Sequence, residues 1–214
     1  MVFLWIVIPL IAKKYFSRIS KYNLAIVLVI LILGVELIDD LYRFFDSNMG
    51  WSIKKDLPLH MCGLSVLGTS WALIKKNQLV FELCYFWGLG GAFQAIFTPE
   101  STNIIDHFYL FSFMASHGLI VLNVLYLIFV DGMVLRKWAL IRAIVITELV
   151  LVVVYVVNLV LGSNYFYLIE KPSTNNPFVF GEWPYYLINM QFAAIFILAV
   201  INLPMLIYRK KLER

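Results

Sequence analysis

Three stretches of this chain, His107 to Val130, Trp138 to Leu161 and Tyr185 to Ile207, each run for more than twenty residues with only Arg142 and Glu148 among them bearing a full charge. About 20 consecutive apolar residues is the length that crosses the hydrocarbon core of a bilayer. In lipid every backbone N–H and C=O must be paired within its own element, and no strand-like alternation is present, so these stretches are helices. Four further apolar segments, 1–12, 24–38, 57–74 and 79–97, complete a set of seven. With 62% hydrophobic and 14% charged residues and a mean hydropathy of +0.86, the chain has too few charges to cover a soluble core. The expected fold is an all-α integral membrane protein. A single domain, 1–214, would form one bundle of seven transmembrane helices.

Charge placement sets the expected orientation, because cytoplasmic linkers hold the excess of Lys and Arg. Lys13, Lys14, Arg18 and Lys21 follow the first segment, and Lys75 and Lys76 follow the third. Arg136, Lys137 and Arg142 flank the turn from fifth to sixth, and Arg209, Lys210, Lys211 and Arg214 follow the seventh. That is thirteen of the 17 basic residues on one side. The opposite linkers hold most of the acids. The amino terminus is expected outside and the carboxyl terminus in the cytoplasm. No basic residue precedes the first apolar segment, so it is read as a retained short helix that spans only if Lys13 and Lys14 snorkel or the lipid thins. The net charge of +4 is a topology signal rather than a nucleic-acid surface. Cys62 and Cys84 both fall inside apolar segments, which excludes a disulfide framework.

Polar groups at membrane depth usually face a cavity or a partner. In LPLHMC, 57–62, Cys62 is either a nucleophilic thiolate for acyl transfer or a small residue filling the bundle. His60, two residues away, points about 200° from it on a regular helix, and reaches it as a second base only if Pro58 leaves residues 59–61 non-helical. Otherwise it bridges to acids such as Asp56. His117 lies mid-span. It is a general base or acid, or it merely bonds a nearby carbonyl. Counting places it about 7 Å deeper than Cys62. Glu148 lies at similar depth and could orient it. Gln94 and Thr98, four apart on one face, offer an oxyanion donor or a helix-to-helix hydrogen bond, and Gly91 and Ala95 form a small-residue packing seam. Glu36, Asp39, Asp40 and Arg43 read as a salt-bridged helix end. Glu82 is expected to pair with Lys75 or Lys76.

The segments LPLHMC (57–62), YFWGLGGAFQAIFTPE (85–100), FSFMASHGLIVLNVLY (111–126), GSNYFYLIEKP (162–172) and EWPYY (182–186) together resemble the YwaF-like bacterial integral membrane proteins, which look related to eukaryotic multi-pass acyltransferases that remodel ether phospholipids. The resemblance implies that Cys62 takes an acyl group from a phospholipid, with His117 as general base. The function expected is therefore a phospholipid acyltransferase or acyl hydrolase in a bacterial plasma membrane. It would work on outer-leaflet lipid, with phospholipid and lysophospholipid as partners and neither metal nor cofactor. Thr98, Asn164, Lys171, Trp183, Tyr185, Tyr186 and Asn189 would then contact the substrate. The alternative is a non-catalytic transporter or lipid-binding protein with an outward polar cavity. A zinc amidase using Glu36, Asp40, His60 and His107 lacks helical His-x-x-x-His spacing.

Overall fold

The computed structural model describes residues 2–46, 50–97, 107–172 and 179–212. Among these the regular structure is helical throughout: α1 (Val2–Tyr15), α2 (Arg18–Phe45), α3 (Met61–Lys75), α4 (Gln78–Trp87), a π-helical turn (Gly88–Ala92), α5 (Phe93–Phe97), α6 (His107–Phe129), α7 (Ala139–Leu161) and α8 (Tyr185–Leu212), with a 3-10 turn at Tyr165–Tyr167. The α4, π and α5 segments follow one another without a break. The seven expected helices are therefore present. Four of them, at Gln78–Ile96, His107–Phe129, Ala139–Leu161 and Tyr185–Lys211, are long and apolar enough to cross a membrane, and Met61–Lys75 is shorter. The expectation of seven full spans is corrected to that extent. At 14 residues, α1 reaches only about 21 Å.

Helix α6 is the hub, packed by α1, α2, α3 and the π turn. Its apolar residues Ile120, Val121, Val124 and Leu127 are essentially inaccessible. Close approach is set by small residues. A Cβ on Gly88 would meet Ile120 and Val124 at 3.0 Å, and one on Gly118 would meet the Trp5 indole at 3.2 Å. The second contact docks the short α1 directly beside His117. By contrast α7 and α8 are peripheral, with Leu149, Val153, Val160, Phe192 and Phe196 all more than 60% exposed. Exposed apolar area on this scale is covered by lipid.

Several boundaries depart from the sequence reading. Helix α2 runs from Arg18 to Phe45 rather than over 24–38, because its polar ends are satisfied. Ser17 caps it by accepting from Ser20 N at 3.1 Å, and Arg43 donates to Asp39 one turn back at 2.8 Å. Helix α3 starts at Met61 rather than Leu57, with His60 in an extended conformation as its N-cap. The Gly-rich segment after Trp87 slips into π geometry, where the glycines allow the backbone to approach its neighbours. At the opposite end of the bundle Glu82 is fully buried and pairs with Arg136 and Arg142, each at 2.8 Å, rather than with a lysine. The planar Arg forks reach under α4 from the 130–138 linker and the start of α7. Lys76 pairs instead with Asp131 at 2.5 Å.

Candidate functional site

The turn that precedes α3 decides where its first residues point. Leu57 N donates to the Tyr165 hydroxyl at 3.0 Å, and that hydroxyl donates to Ile53 O at 2.7 Å. Burial pushes the Tyr165 hydroxyl above the ordinary phenol value, so it stays protonated and able to donate at neutral pH. Gly63 lets the turn fold back onto the helix, since a Cβ there would lie 2.7 Å from Pro58 Cα. Cys62 is thereby the second residue of α3. It stands beside first-turn N–H groups that have no helical acceptor.

From α6, His117 meets it. The imidazole Nε2 is 3.0 Å from Cys62 Sγ, and the ring is only 6% exposed. The other ring nitrogen, Nδ1, is 2.8 Å from the Phe113 carbonyl. A carbonyl can only accept, so Nδ1 carries the proton, Nε2 presents its lone pair, and the Cys62 thiol donates to it. The ring also lies 4.0 Å, centroid to centroid, from the Phe113 ring, which restricts its rotation. The 7 Å depth difference expected from counting does not separate the pair, because the approach to α3 is not helical through His60.

The remaining residues of the sequence reading fall into three places. His60 is turned to the 165–167 turn: its Nδ1 accepts from Phe166 N at 3.2 Å, and its ring lies 5.1 Å from that of Tyr165. Glu148 is hydrogen-bonded to Gln191 of α8, and the group on His117 Nδ1 is the Phe113 carbonyl. Gln94 lines a cleft with Glu148, Gln191 and Met61. Thr98 lies outside the described residues.

The expected substrate contacts form a cap at the His60 end, largely bonded to itself. Asn164 Oδ1 accepts from Ile169 N and Glu170 N at 3.0 and 3.1 Å, and Lys171 pairs with Glu182 at 2.8 Å. Trp183 donates to Leu168 O at 3.2 Å, Tyr186 to Tyr167 O at 2.7 Å and Asn189 to Phe180 O at 2.9 Å. Tyr185 is 67% exposed, where an interfacial aromatic can meet headgroups.

Two buried polar contacts went unread in the sequence. Ser116, next to His117, donates to Glu36, and Ser112 donates to Asp39. Only Arg43, bridging Asp39 and Asp56 at 2.6 and 2.7 Å, behaves as the salt-bridged helix end that the sequence suggested. The position of Glu36 inside an apolar run was the available signal. Among the described residues no three His, Cys, Asp or Glu side chains are grouped to hold a metal ion.

The cleft has a volume of ≈ 840 Å³ and is walled by α4, the π turn and α5 on one side and by α7 and α8 on the other. Its floor and rim are mostly apolar, and Trp87 Nε1 donates across it to Thr147 at 2.9 Å.

A family model described as "TMEM164 family" matches residues 1–202. A protein of Treponema pallidum (strain Nichols), described as "Uncharacterized protein", is 26% identical over 116 residues, 54% of this chain and 46% of that protein. The chain thus matches less than half the length of that relative. No solved structure matches.

Proposed function

The chain belongs to the TMEM164 family, and from that membership, its apolar helices and the contact between Cys62 and His117 we propose that this multi-pass membrane protein transfers acyl groups from phospholipid through a thioester on Cys62. The observation that carries the reading is the 3.0 Å approach of Cys62 Sγ to His117 Nε2, with the tautomer fixed by the Phe113 carbonyl at 2.8 Å. This is the arrangement of an activated nucleophile: thiol, base within reach, and a third group that orients the base.

In the first half-reaction His117 Nε2 takes the thiol proton as Sγ attacks the ester carbonyl carbon. The carbon–sulfur bond forms and the ester carbon–oxygen bond breaks. The departing lysophospholipid oxygen receives the proton from His117. In the second, an acceptor hydroxyl, on another lysolipid or on water, gives its proton to Nε2 and attacks the thioester; the carbon–sulfur bond breaks and the thiolate takes the proton back. The oxyanion of each tetrahedral intermediate faces the positive end of α3, where the first-turn N–H groups are donors, with Gln94 as a further donor. Outer-leaflet lipid of a bacterial plasma membrane is the donor in this reading, since the bilayer itself holds the ester near the depth of Cys62.

Intact-protein mass spectrometry after incubation with phosphatidylcholine vesicles tests it. Wild type should gain one acyl mass, Cys62→Ala none, and His117→Gln should acylate roughly 10²–10⁴-fold more slowly. Absence of an adduct on wild type, or its persistence in Cys62→Ala, overturns the proposal.

A further inference from the structure

We infer that the cleft between α4–α5 and α7–α8 is an acyl-chain slot, holding the hydrocarbon of the lipid whose ester lies at Cys62; the inference rests on the acyl-transfer reading for its role and on geometry for its occupancy. Four observations carry it. The volume of ≈ 840 Å³ falls within the range of small-molecule sites, about 300–1,000 Å³. The shape is long rather than round. Along α7 the lining runs from Val156 to Ile144, and along α8 from Leu187 to Leu198, which at ~1.5 Å per residue is roughly 17 Å. One leaflet of a ~30 Å hydrocarbon core is about 15 Å deep, so the slot has the length of one lipid chain lying parallel to the helices.

The third observation is the connection to the chemistry. Met61 lines the slot and immediately precedes Cys62, and a Cβ on Gly91 would meet Met61 Sδ at 2.9 Å. The bare glycine therefore leaves room for the thioether in the slot wall beside Cys62. A flexible, polarizable side chain there can move aside for a methylene chain. The fourth is the outer wall. Helices α7 and α8 are otherwise mostly lipid-facing, and Glu148 and Gln191 hydrogen-bond across their seam. The polar pair satisfies itself and ties the two helices together at mid-slot, while the chain meets Leu151, Leu187 and Ile197. By position along their helices, Ile144 on α7 and Leu198 on α8 are the lining residues farthest from the Phe166 and Leu168 end, and they act as the stop that sets chain length.

The test reads occupancy without needing turnover. Purified Cys62→Ala protein is incubated with phosphatidylcholine vesicles in which one chain carries a terminal diazirine, irradiated, digested and mapped. Labels should concentrate on the segments around Ile144 and Leu198. In the Ile144→Trp background labelling there should fall roughly tenfold for an 18-carbon chain, the scale of filling a packed site, and be retained for a 12-carbon chain. Ile144→Ala should shift preference toward longer chains. Misfolding cannot move chain preference in opposite directions, so the two variants control for each other. Labels confined to the outward residues Leu149, Val153 and Leu159, or chain preference unchanged in both variants, overturn the slot. Slot labelling with no acyl adduct on wild type keeps the slot and removes the thioester, leaving a lipid-binding protein.

Discussion

At the scale of single residues, the site turns on what a side chain is denied as much as on what it touches. Gly63 is the sharpest instance, because a Cβ there would lie 2.7 and 2.9 Å from Pro58 Cα and C. Those are backbone atoms and cannot step aside, so Gly63→Ala must displace the 57–60 turn and with it the start of α3. We expect a protein that still assembles but acylates at least tenfold more slowly, since small misplacements of reacting groups are costly. Gly34→Ala is the matched control: nothing lies within 4 Å of a Cβ at that position, and replacing a helix-interior glycine should stabilise by about 0.5–1 kcal/mol. Melting of the detergent-solubilised variants, read beside acylation rates, separates the two. Equal acylation by Gly63→Ala and wild type would show that the turn does not position Cys62. The contact of Cys62 with His117 at 3.0 Å was legible through the family resemblance, not from residue spacing. The Phe113 carbonyl was not, because a backbone acceptor carries no sequence signature, and depth alone does not give the partner of Glu148, whose carboxylate accepts from Gln191 of α8.

At the scale of elements, the helices were legible from hydropathy and their ends were not. The apolar run identified α2, yet its last turns are held by Asp39, Arg43 and Asp56, polar residues that a hydropathy reading assigns to a linker. The start of α3 is displaced by four residues because Pro58 and the Tyr165 hydroxyl, which accepts from Leu57 N 108 residues earlier, fix the turn. The π turn at Gly88–Ala92 follows from close packing against α6 and α8 rather than from local propensity. At the other end, the 130–138 linker is short and mixes apolar with charged residues, and it gives no hint that it wraps Glu82. Glu82 Oε1 accepts from Arg136 N and Nε, and Oε2 from both guanidinium groups. Glu82→Gln leaves two arginines facing a neutral amide, and removing one member of a buried pair costs about 3–5 kcal/mol. With Arg136 52% exposed, solvent recovers part of that, so about 3 kcal/mol is expected. Thermal unfolding of the purified variant should show the loss, together with faster hydrogen exchange in 130–138. An unchanged melting curve would mean that the clamp contributes nothing to the joining of α4 to α7.

For the whole molecule, both ends of the bundle are polar, but they differ in kind. The Glu82 end gathers Lys13, Lys14, Lys75, Lys76, Arg136, Lys137 and Arg142 with the basic last turn of α8, Arg209, Lys210 and Lys211. The His60 end carries Asp39, Asp40, Asp56, Glu170 and Glu182, with Arg43 and Lys171 already paired to acids. Insertion retains Lys and Arg in the cytoplasm, so this asymmetry predicts that the Cys62–His117 pair lies toward the outer surface and the Glu82 clamp toward the inner. Green fluorescent protein fused after Arg214 should fluoresce, because it folds in the cytoplasm, and alkaline phosphatase fused within the 162–172 loop should be active, because it needs export. The reverse pattern would turn the site inward and make inner-leaflet lipid the donor. Replacing Lys75, Lys76, Arg136 and Lys137 together by Gln removes four of the thirteen basic residues on that side. If the asymmetry orients the chain, that variant should show both reporters in mixed orientation, whereas an unaltered pattern would assign orientation to the basic α8 end and the first linker.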